Sequence, residues 1–408
     1  MSQKKVACGF LFLLVIYLLV CVFFAQRPLE NDEGRYYGYA VNLTKGFYAQ
    51  PETKHLWNGP GYPLFVSLFI LCKIPVVAAK YCNALFLLGA VVFFYRTLRF
   101  YMDSRKAFGC AMVFGLYPPL LPELPRLLTE SMSVFLMTGF VYCTVRAYKE
   151  KEVRTLVAAC LCGGALILTK VVFAYVVTLS VLVLLAMSVW RRDFLRSAAI
   201  SLGCLGVCLP YLLYTHSLTG KWFYWANSGG TALHCMSNPD ISQMGDWFHD
   251  SRIFADERLS PHRSFAESLK DKDYVEKDIL FKKKAFENIR RHPHKYLANW
   301  LCNVGRMWFN YPFAYKYQRP HTLVYTFPNA LLLSAVLFSV FPLLRSARRL
   351  PPEIGMMGIF AVLFIGGSSL IYTCSRYLVP VVPVLLLLVF YCWVKVLEIH
   401  FRDPLEHR

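Results

Sequence analysis

Long apolar runs constrain the fold of this chain more than any other feature of its sequence. The first run, 6–25, has no charged side chain and is long enough to cross the roughly 30 Å hydrocarbon core of a bilayer as a helix. Further apolar runs lie at 78–95, 107–121, 127–146, 155–169, 171–190, 195–214, 321–344, 353–372 and 377–396. This pattern predicts an all-α polytopic membrane protein with about ten transmembrane helices.

The composition excludes other classes of protein. Of the 408 residues, 56% are hydrophobic and 17% are charged, whereas a soluble domain carries roughly 25% charged residues. So few charges could not cover the surface of a soluble protein, and so many apolar residues exclude a disordered one. The formal charge of +19 is interpreted as a cation excess in cytoplasmic loops, so no nucleic-acid partner is expected.

Clusters of Lys and Arg predict which loops face the cytoplasm. These clusters lie at 96–106, 146–154, 191–196 and 345–349. If all of them are cytoplasmic, the spans alternate without conflict and both termini lie inside. The run 61–76 would break this alternation, and Lys73 and Pro75 interrupt it. We therefore expect it to be a re-entrant or interfacial segment on the outer side.

This topology divides the chain into three parts. Residues 1–214 form an N-terminal transmembrane module that includes the first outward loop, 26–60. Residues 215–320 form a long outward region, and residues 321–408 form the C-terminal transmembrane helices. Within the outward region, 276–300 has helical spacing and a basic face, which predicts an amphipathic helix at the lipid surface, although a solvated helix would show the same pattern.

The first outward loop contains two adjacent carboxylates, Asp32 and Glu33. Carboxylates at a membrane surface cost desolvation energy unless another group uses them. Arg35 lies three residues after Asp32, so the two side chains can pair on one face of a helix. A simpler interpretation is also open, in which Asn31 or Asp32 caps a surface helix over 33–46.

Other charged and aromatic side chains are predicted to gather at the outer ends of the spans. Each of them alone could be a long side chain that reaches from the membrane to the interface. Together they predict a cationic pocket with a carboxylate just above the bilayer. The set consists of Tyr62, Arg126, Glu130, Lys170, Arg306, Arg376 and Tyr377.

Such a pocket suits the transfer of a sugar from a lipid phosphate to an acceptor hydroxyl. A carboxylate can take the hydroxyl proton as the oxygen attacks the sugar C1. The leaving phosphate needs no acid, but its growing charge needs Arg, Lys or a metal ion. The lipid tail of the donor explains why the site lies at the membrane.

The sequence resembles the membrane-embedded GT-C glycosyltransferases, specifically the glycosyltransferase family 39 type, which holds protein O-mannosyltransferases and lipid A aminoarabinose transferases. The resemblance covers most of the chain. Its motifs, in order, are Asp32-Glu33-x-Arg35-Tyr36, Pro60-Gly61-Tyr62-Pro63, Arg126 with Glu130, Ser228-Gly229-Gly230 with Asn238-Pro239, and Arg376-Tyr377-Leu378-Val379-Pro380. It implies a GT-C bundle with outward interfacial helices and an inverting transferase with a polyprenyl-phosphate sugar donor and a lipid, glycan or protein acceptor.

The resemblance also implies roles for particular residues. Asp32 would be the acceptor base or its close partner, and Glu33 would orient it or help to hold the acceptor. A divalent metal ion at Asp32 and Glu33 is an open alternative, and no other cofactor is expected. The donor phosphate would be bound by Arg35, Arg126, Lys170, Arg306, Arg376 and Tyr377. The substrates would further contact Lys54, His55, Tyr62 and Glu130.

One position departs from the family pattern. Aminoarabinose transferases commonly have a lysine before the first-loop proline, where this chain has Gly59. We therefore expect a different phosphate clamp, formed by Lys54, His55 or Arg376, and the departure argues against aminoarabinose as the sugar. The extra outward domains of eukaryotic protein mannosyltransferases are not found, which favours a bacterial inner-membrane protein with a periplasmic or extracellular active site.

Two other functions remain open on the sequence alone. A lipid-linked sugar flippase or secondary transporter would also have many spans and buried cations, but its charges usually lie near the bilayer midplane between repeats. Here the charges lie at span ends, and no repeat is visible. A glycan polymerase also uses lipid-linked donors, and the paired acids after the first span favour a GT-C transferase over it.

Overall fold

The computed structural model describes residues 1–248, 250–315 and 320–397. Within these ranges the chain is mainly helical and has no β-strand, and its longest non-helical connections lie at 45–60 and 237–248. The first helices are α1 (Gln3–Phe24), α2 (Asp32–Thr44), α3 (Gly61–Leu71), α4 (Val77–Leu98), α5 (Ser104–Gly115), α6 (Glu130–Glu150), α7 (Val153–Thr169), α8 (Val172–Ser188), α9 (Phe194–Val207) and α10 (Leu209–Thr219). The rest are α11 (Gly229–Met236), α12 (Asp250–Ala255), α13 (Arg263–Ser268), α14 (Tyr274–Arg291), α15 (Pro293–Phe309), α16 (Leu323–Arg345), α17 (Pro352–Ser369), α18 (Ser375–Leu378) and α19 (Val382–Tyr391).

Several helices are long and apolar enough to cross a membrane, which confirms the expected membrane protein. Among the described residues they are α1, α4, α16, α17 and a final span, Ser375–Val396, that contains α18 and α19. Helices α9 and α10 form a further candidate span with a bend of 49°. The predicted total of about ten also counts α5 to α8, which are shorter or less apolar than these, so that number remains a prediction.

Helix α6 lies at the centre of the bundle, where it packs against α4, α7 and α19. Helices α7 and α9 also pack closely, because a Cβ atom on Gly163 would lie only 2.4 Å from the Cys204 sulfur. Small residues of this kind let helix backbones approach each other inside a membrane. On the outside of the bundle, α1 is fixed by the Tyr17 hydroxyl, which donates a hydrogen bond of 2.6 Å to the Gly115 carbonyl.

The segment after the first loop does not cross the membrane as a single helix. Helix α3 has 11 residues, which gives a length of roughly 16 Å, about half of the hydrocarbon thickness. It ends before Lys73, which has a left-handed φ of 57°. It packs against α2 and α7, in agreement with the interfacial or re-entrant segment expected at 61–76.

The outward region corrects one expectation. The prediction of a single amphipathic helix at 276–300 is wrong, because α14 ends at Arg291 and α15 begins at Pro293. Proline has no backbone N–H to donate within a helix, and it is favoured in the first turn of a new one. Helix α14 itself begins with a capping box between Asp273 and Glu276, which fixes its start. Residues 398–408, at the end of the predicted C-terminal part, lie outside the described residues.

Candidate active site

A cavity of about 1360 Å³ lies at the end of the bundle where α2, α6 and α8 begin. Its walls come from the turn at 57–59, the start of α11 and the segment 370–377. Among the described residues, six cationic and three anionic side chains line it, so the cavity as a whole favours anions. They are Arg35, Arg126, Lys170, Arg252, Lys282 and Arg376, with Asp32, Glu123 and Glu130.

Asp32 bridges two arginines in this cavity. Its Oδ1 atom accepts a hydrogen bond of 2.5 Å from Arg35 Nη2, and its Oδ2 atom accepts one of 2.7 Å from Arg376 Nη2. Asn31, at the N-cap position, makes no capping hydrogen bond with its side chain. Asp32 is the first residue of α2, so its carboxylate is held by the two guanidinium groups while its charge still suits a helix N-terminus.

The surroundings of Asp32 act on its pKa in opposite directions. Burial of the carboxylate raises the pKa, whereas the charges of Arg376 and Arg35 and their hydrogen bonds lower it. The lowering effects are the larger in sum, so the pKa of Asp32 lies below its usual value. Asp32 is therefore ionised at neutral pH and can accept a proton, although it is a weak base while both arginines hold it.

Glu130 joins this pair to a second cation. Arg376 Nε lies 3.3 Å from Glu130 Oε1, and Lys170 Nζ lies 3.0 Å from the same oxygen. The Lys170 ammonium also lies 5.1 Å from the centre of the Tyr377 ring, within reach of a cation–π interaction. Arg376 thus lies between the carboxylates of Asp32 and Glu130. The helices α2, α6 and α18 and the residue after α7 all contribute to one ionic network.

Arg35 is oriented by the aromatic turn that follows the first loop. Its Nε atom donates a hydrogen bond of 2.8 Å to Asn58 Oδ1, and its guanidinium lies 5.5 Å from the Trp57 ring. The Asn58 amide in turn donates to the Tyr36 hydroxyl at 3.0 Å. Asn58 belongs to the aromatic turn that the sequence places beside the first outward loop, but its role as a partner of Arg35 is visible only in the structure.

Arg126 lines the cavity beside a carboxylate that sequence analysis missed. Its Nη1 atom lies 3.7 Å from Glu123 Oε2, and the Tyr325 hydroxyl donates to Glu123 Oε1 at 3.2 Å. Burial and the nearby charge of Glu130 raise the pKa of Glu123. The signal for Glu123 was present in the sequence, because an acid three residues before Arg126 can pair with it within one turn.

Glu33 faces away from the cavity and toward the bundle. Its Oε1 atom accepts a hydrogen bond of 2.7 Å from the Leu127 backbone N–H, and its Oε2 atom accepts one of 2.8 Å from Arg27. Lys80 Nζ lies 3.8 Å from Oε1. Leu127 lies in the turn that precedes α6, and α6 begins at Glu130. Through this hydrogen bond Glu33 connects α2 to that turn.

Gly59 lies where no side chain fits. A Cβ atom there would lie 2.1 Å from the Leu168 carbonyl oxygen, a distance that real Cβ atoms do not adopt. The turn therefore rests directly on the end of α7, two residues before Lys170. A lysine at position 59 would be excluded by this contact, and Lys170 reaches the cavity from the neighbouring segment instead.

The two residues that we expected to replace that lysine in the first loop lie outside the cavity. Lys54 forms an ion pair of 2.9 Å with Asp273 at the start of α14. The His55 ring packs on Tyr274 with ring centres 4.2 Å apart. Burial and the charge of Arg35 lower the pKa of His55 to about 4, so this imidazole is neutral at pH 7 and carries no charge for a phosphate.

Tyr62 and Arg306 also lie outside the cavity walls. Tyr62 is fully buried and packs edge-on against Tyr36 at 5.5 Å between ring centres. Arg306 is fully buried as well, and its guanidinium binds Asp246 at 3.0 Å and the backbone carbonyls of Met244 and Gly245. This arginine organises the outward region, and its partner Asp246 was not visible as such from the sequence because it lies 60 residues earlier.

An apolar arm of the cavity wall runs along α8 and α17, which pack against each other. The arm is an open groove, because Leu179 at its end is about half exposed. Its walls on one side are Val172, Val176 and Leu179 of α8, and Leu363 of α17 faces it from the other. From Val172 to Leu179 the arm runs roughly 10 Å along α8 at 1.5 Å per residue. The cavity thus combines an anion-binding end with an apolar extension along membrane helices.

The two acids of the first loop do not form a shared metal site in this arrangement. Asp32 faces Arg35 and Arg376, whereas Glu33 faces Arg27 and the Leu127 backbone. No cluster of three or more His, Cys, Asp or Glu side chains with metal-binding geometry occurs among the described residues. The ligand set expected for a divalent ion at Asp32 and Glu33 therefore does not fit.

Comparison with solved structures gives clear similarity in fold. The crystal structure of ArnT from Cupriavidus metallidurans bound to undecaprenyl phosphate matches with a TM-score of 0.55 and 14% sequence identity, over 97% of this chain and 61% of that chain. The Archaeoglobus fulgidus oligosaccharyltransferase, tethered to an acceptor peptide containing the NVT sequon, matches with a TM-score of 0.55 and 13% identity, over 97% and 50% of the two chains. Both have the GT-C fold, so the fold class expected from the sequence is confirmed.

The similarity is one of structure rather than of sequence. No protein-family model matches this sequence, and no curated protein matches it either. This chain also spans only 61% and 50% of the lengths of the two solved chains. The comparisons therefore establish the GT-C fold, and the activity must be argued from the site.

Proposed function

We propose that this GT-C chain is a glycosyltransferase that moves a sugar from a polyprenyl-phosphate donor to an acceptor hydroxyl. One observation carries the proposal: Asp32 bridges Arg35 and Arg376 at the charged end of a cavity whose other arm is apolar. A lipid phosphate needs both parts, because its head is an anion and its tail is a hydrocarbon. The ArnT structure with undecaprenyl phosphate supports a donor of this class.

The donor phosphate binds among the cations around Asp32. Arg376 and Arg35 can each present two N–H groups to phosphate oxygens, which is the geometry that favours arginine for this anion. Lys170 adds a third positive charge next to Tyr377. The polyprenyl chain lies in the apolar arm between α8 and α17, so the sugar is held at the level where the helices leave the membrane.

Donor binding activates Asp32. In the donor-free protein the carboxylate neutralises the two arginines, which lowers its pKa. When the phosphate becomes the partner of these arginines, Asp32 loses their stabilisation and gains a negative neighbour. Both changes raise the basicity of the carboxylate, so the base becomes competent only when the donor is present.

The reaction is an inverting substitution at the sugar C1. Asp32 takes the proton of the acceptor hydroxyl as its oxygen forms a bond to C1. The bond from C1 to the phosphate oxygen breaks on the opposite side, and its electron pair leaves with the phosphate. Arg35, Arg376 and Lys170 stabilise the additional negative charge, which is greatest late in the reaction.

The sugar is a hexose or a pentose, and the acceptor is a hydroxyl of a lipid, a glycan or a protein. The contact between Gly59 and Leu168 supports a phosphate clamp different from the lysine clamp of aminoarabinose transferases. We place the protein in the inner membrane of a bacterium, with the cavity on the periplasmic or extracellular side, because the basic clusters at the other end of the bundle suit the cytoplasm.

Mass spectrometry of envelope components from cells with and without this protein tests the proposal. Loss of one sugar from a lipid, glycan or protein, together with accumulation of the polyprenyl-phosphate sugar, supports it and identifies donor and acceptor. Identical envelopes and identical pools of lipid-linked sugars would contradict it.

A further inference from the structure

A second cavity, of about 530 Å³, lies at the other end of the bundle. It is formed by the end of α6, the loop before α9 and the start of α17. Glu130 and Lys149 lie at opposite ends of α6, and Lys149 lines this second cavity. At 1.5 Å per residue the two cavities are roughly 28 Å apart along that helix, so the second one is distinct from the candidate active site.

Part of the charge in this cavity is already balanced. Lys149 Nζ lies 3.0 Å from Glu353 Oε1, and the buried Glu353 also accepts a hydrogen bond of 2.9 Å from Tyr101. Asp193 is largely exposed and lies 3.7 Å from Arg191, which does not line the cavity. The two acids in the cavity wall therefore have cationic partners of their own.

Three further cations in the wall have no such partner among the residues that the structure describes. Lys151, Arg192 and Arg196 line the cavity, and none of them forms an ion pair with a carboxylate in the described part of the chain. The Arg196 guanidinium lies 5.5 Å from the Tyr148 ring, and Tyr148 is itself fixed by a hydrogen bond of 2.9 Å to the Asp193 carbonyl. The cavity thus carries an excess of positive charge, and contacts with neighbouring residues hold Arg196 in place.

Apolar side chains adjoin the cavity. Leu195 forms part of its wall, and Val189 and Trp190, in the segment just before it, are about four-fifths exposed. Tryptophan is enriched at the interface between the hydrocarbon and the headgroups. A small inorganic anion would use only the cations, whereas an amphiphile with an anionic head would use the cations and this apolar surface together.

We propose that this cavity binds the phosphate headgroup of an anionic membrane phospholipid. Basic pockets between transmembrane helices are the sites where such headgroups bind. Lys151, Arg192 and Arg196 hold the phosphate, and the acyl chains lie on the apolar surface beside Leu195. This binding does not depend on sugar transfer at the other cavity.

The test uses the full-length protein in nanodiscs of phosphatidylcholine with and without phosphatidylglycerol. Native mass spectrometry after release from the nanodiscs counts the phosphatidylglycerol retained per protein. The pocket variant is Arg192→Gln/Arg196→Gln, and the matched control is Arg348→Gln/Arg349→Gln. The control pair is exposed, lies at the same end of the bundle and does not line the cavity.

The wild type and the control should retain phosphatidylglycerol selectively over phosphatidylcholine, and the pocket variant should bind it at least about tenfold more weakly. Equal losses in both double variants, or no selective retention by the wild type, would overturn the proposal, because a diffuse basic surface would then explain the data. If the double variant misfolds, Lys151→Gln at the exposed end of α6 should give the same direction of change.

A competition with inorganic phosphate separates the two sources of the anion. Excess inorganic phosphate should fail to displace phosphatidylglycerol from the wild type, because it cannot use the apolar surface. Complete displacement, with equal binding of phosphate in pure phosphatidylcholine nanodiscs, would show a site for a free anion and would overturn the assignment to a lipid.

Discussion

Replacing Asp32 by asparagine should separate donor binding from turnover. The amide keeps the size of the carboxylate but cannot take up a proton. In the amide, an NH₂ donor replaces one of the two carboxylate oxygens that accept hydrogen bonds from Arg35 and Arg376. Asparagine can therefore accept from only one of the two guanidinium groups. Arg376 still has Glu130 as a partner at 3.3 Å, and we therefore expect the cavity to keep its shape.

The size of the effect follows from the role of the group. Loss of a general base typically slows a reaction by ~10²–10⁴-fold, which corresponds to about 3–5 kcal/mol in activation free energy. The affinity for undecaprenyl phosphate should stay the same or increase in Asp32→Asn, because the lipid phosphate no longer competes with a carboxylate for Arg35 and Arg376. Turnover distinguishes a base from a merely structural carboxylate, because loss of the negative charge favours anion binding in either case.

The assay measures undecaprenyl phosphate binding and sugar transfer with the purified variant in nanodiscs. Asp103→Asn is the matched control, because Asp103 lies outside the cavity and caps α5 by accepting hydrogen bonds from the backbone N–H groups of Arg105 and Lys106. Asparagine is an equally good cap. The control should show near-normal turnover. Near-normal turnover of Asp32→Asn as well would refute base catalysis and favour a helix-terminal role for Asp32.

Three further predictions concern the surroundings of Asp32. Arg376→Lys should bind undecaprenyl phosphate more weakly and turn over more slowly, because one ammonium cannot replace a planar fork that contacts Asp32 and Glu130; equal behaviour in binding and transfer assays would exclude Arg376 from the site. Glu33→Gln should lower the free energy of unfolding by on the order of 3 kcal/mol, since the buried Lys80 and the partly buried Arg27 lose their anionic partner, and unchanged thermal unfolding with lost turnover would contradict this. A cysteine at Thr53 in a cysteine-free background should react with an impermeant thiol reagent in intact cells, whereas labelling only after lysis would reverse the topology.

Contacts within one helical turn could be predicted from the sequence, and contacts between distant segments could not. The pairing of Asp32 with Arg35 follows from their spacing alone, and the structure contains it. The same geometry argues against a joint role for Asp32 and Glu33, since adjacent residues on a helix point about 100° apart. The angle indicates that Glu33 faces away from the Asp32–Arg35 pair, and the contacts with Leu127 and Arg27 show that it faces the bundle.

Distant contacts depend on how the helices pack. Arg376 reaches Asp32 across 344 residues; its place at an outer span end suggested a shared pocket, but nothing in the sequence identified Asp32 as its partner. Arg306 shows the opposite case, because an arginine among tryptophans suggested a phosphate ligand, whereas the fold supplies Asp246 as its partner. The glycine at position 59 also gained its explanation only from the close approach of Leu168.

Release of the lipid carrier distinguishes a glycosyltransferase from a flippase. Purified protein in nanodiscs is mixed with the lipid-linked sugars and the acceptor fraction that accumulate in cells lacking it, and mass spectrometry follows both products. We expect one polyprenyl phosphate to be released for each sugar that appears on the acceptor, and none to be released by Asp32→Asn. Movement of the intact lipid-linked sugar between leaflets, without release of polyprenyl phosphate, would contradict the account and show a flippase instead.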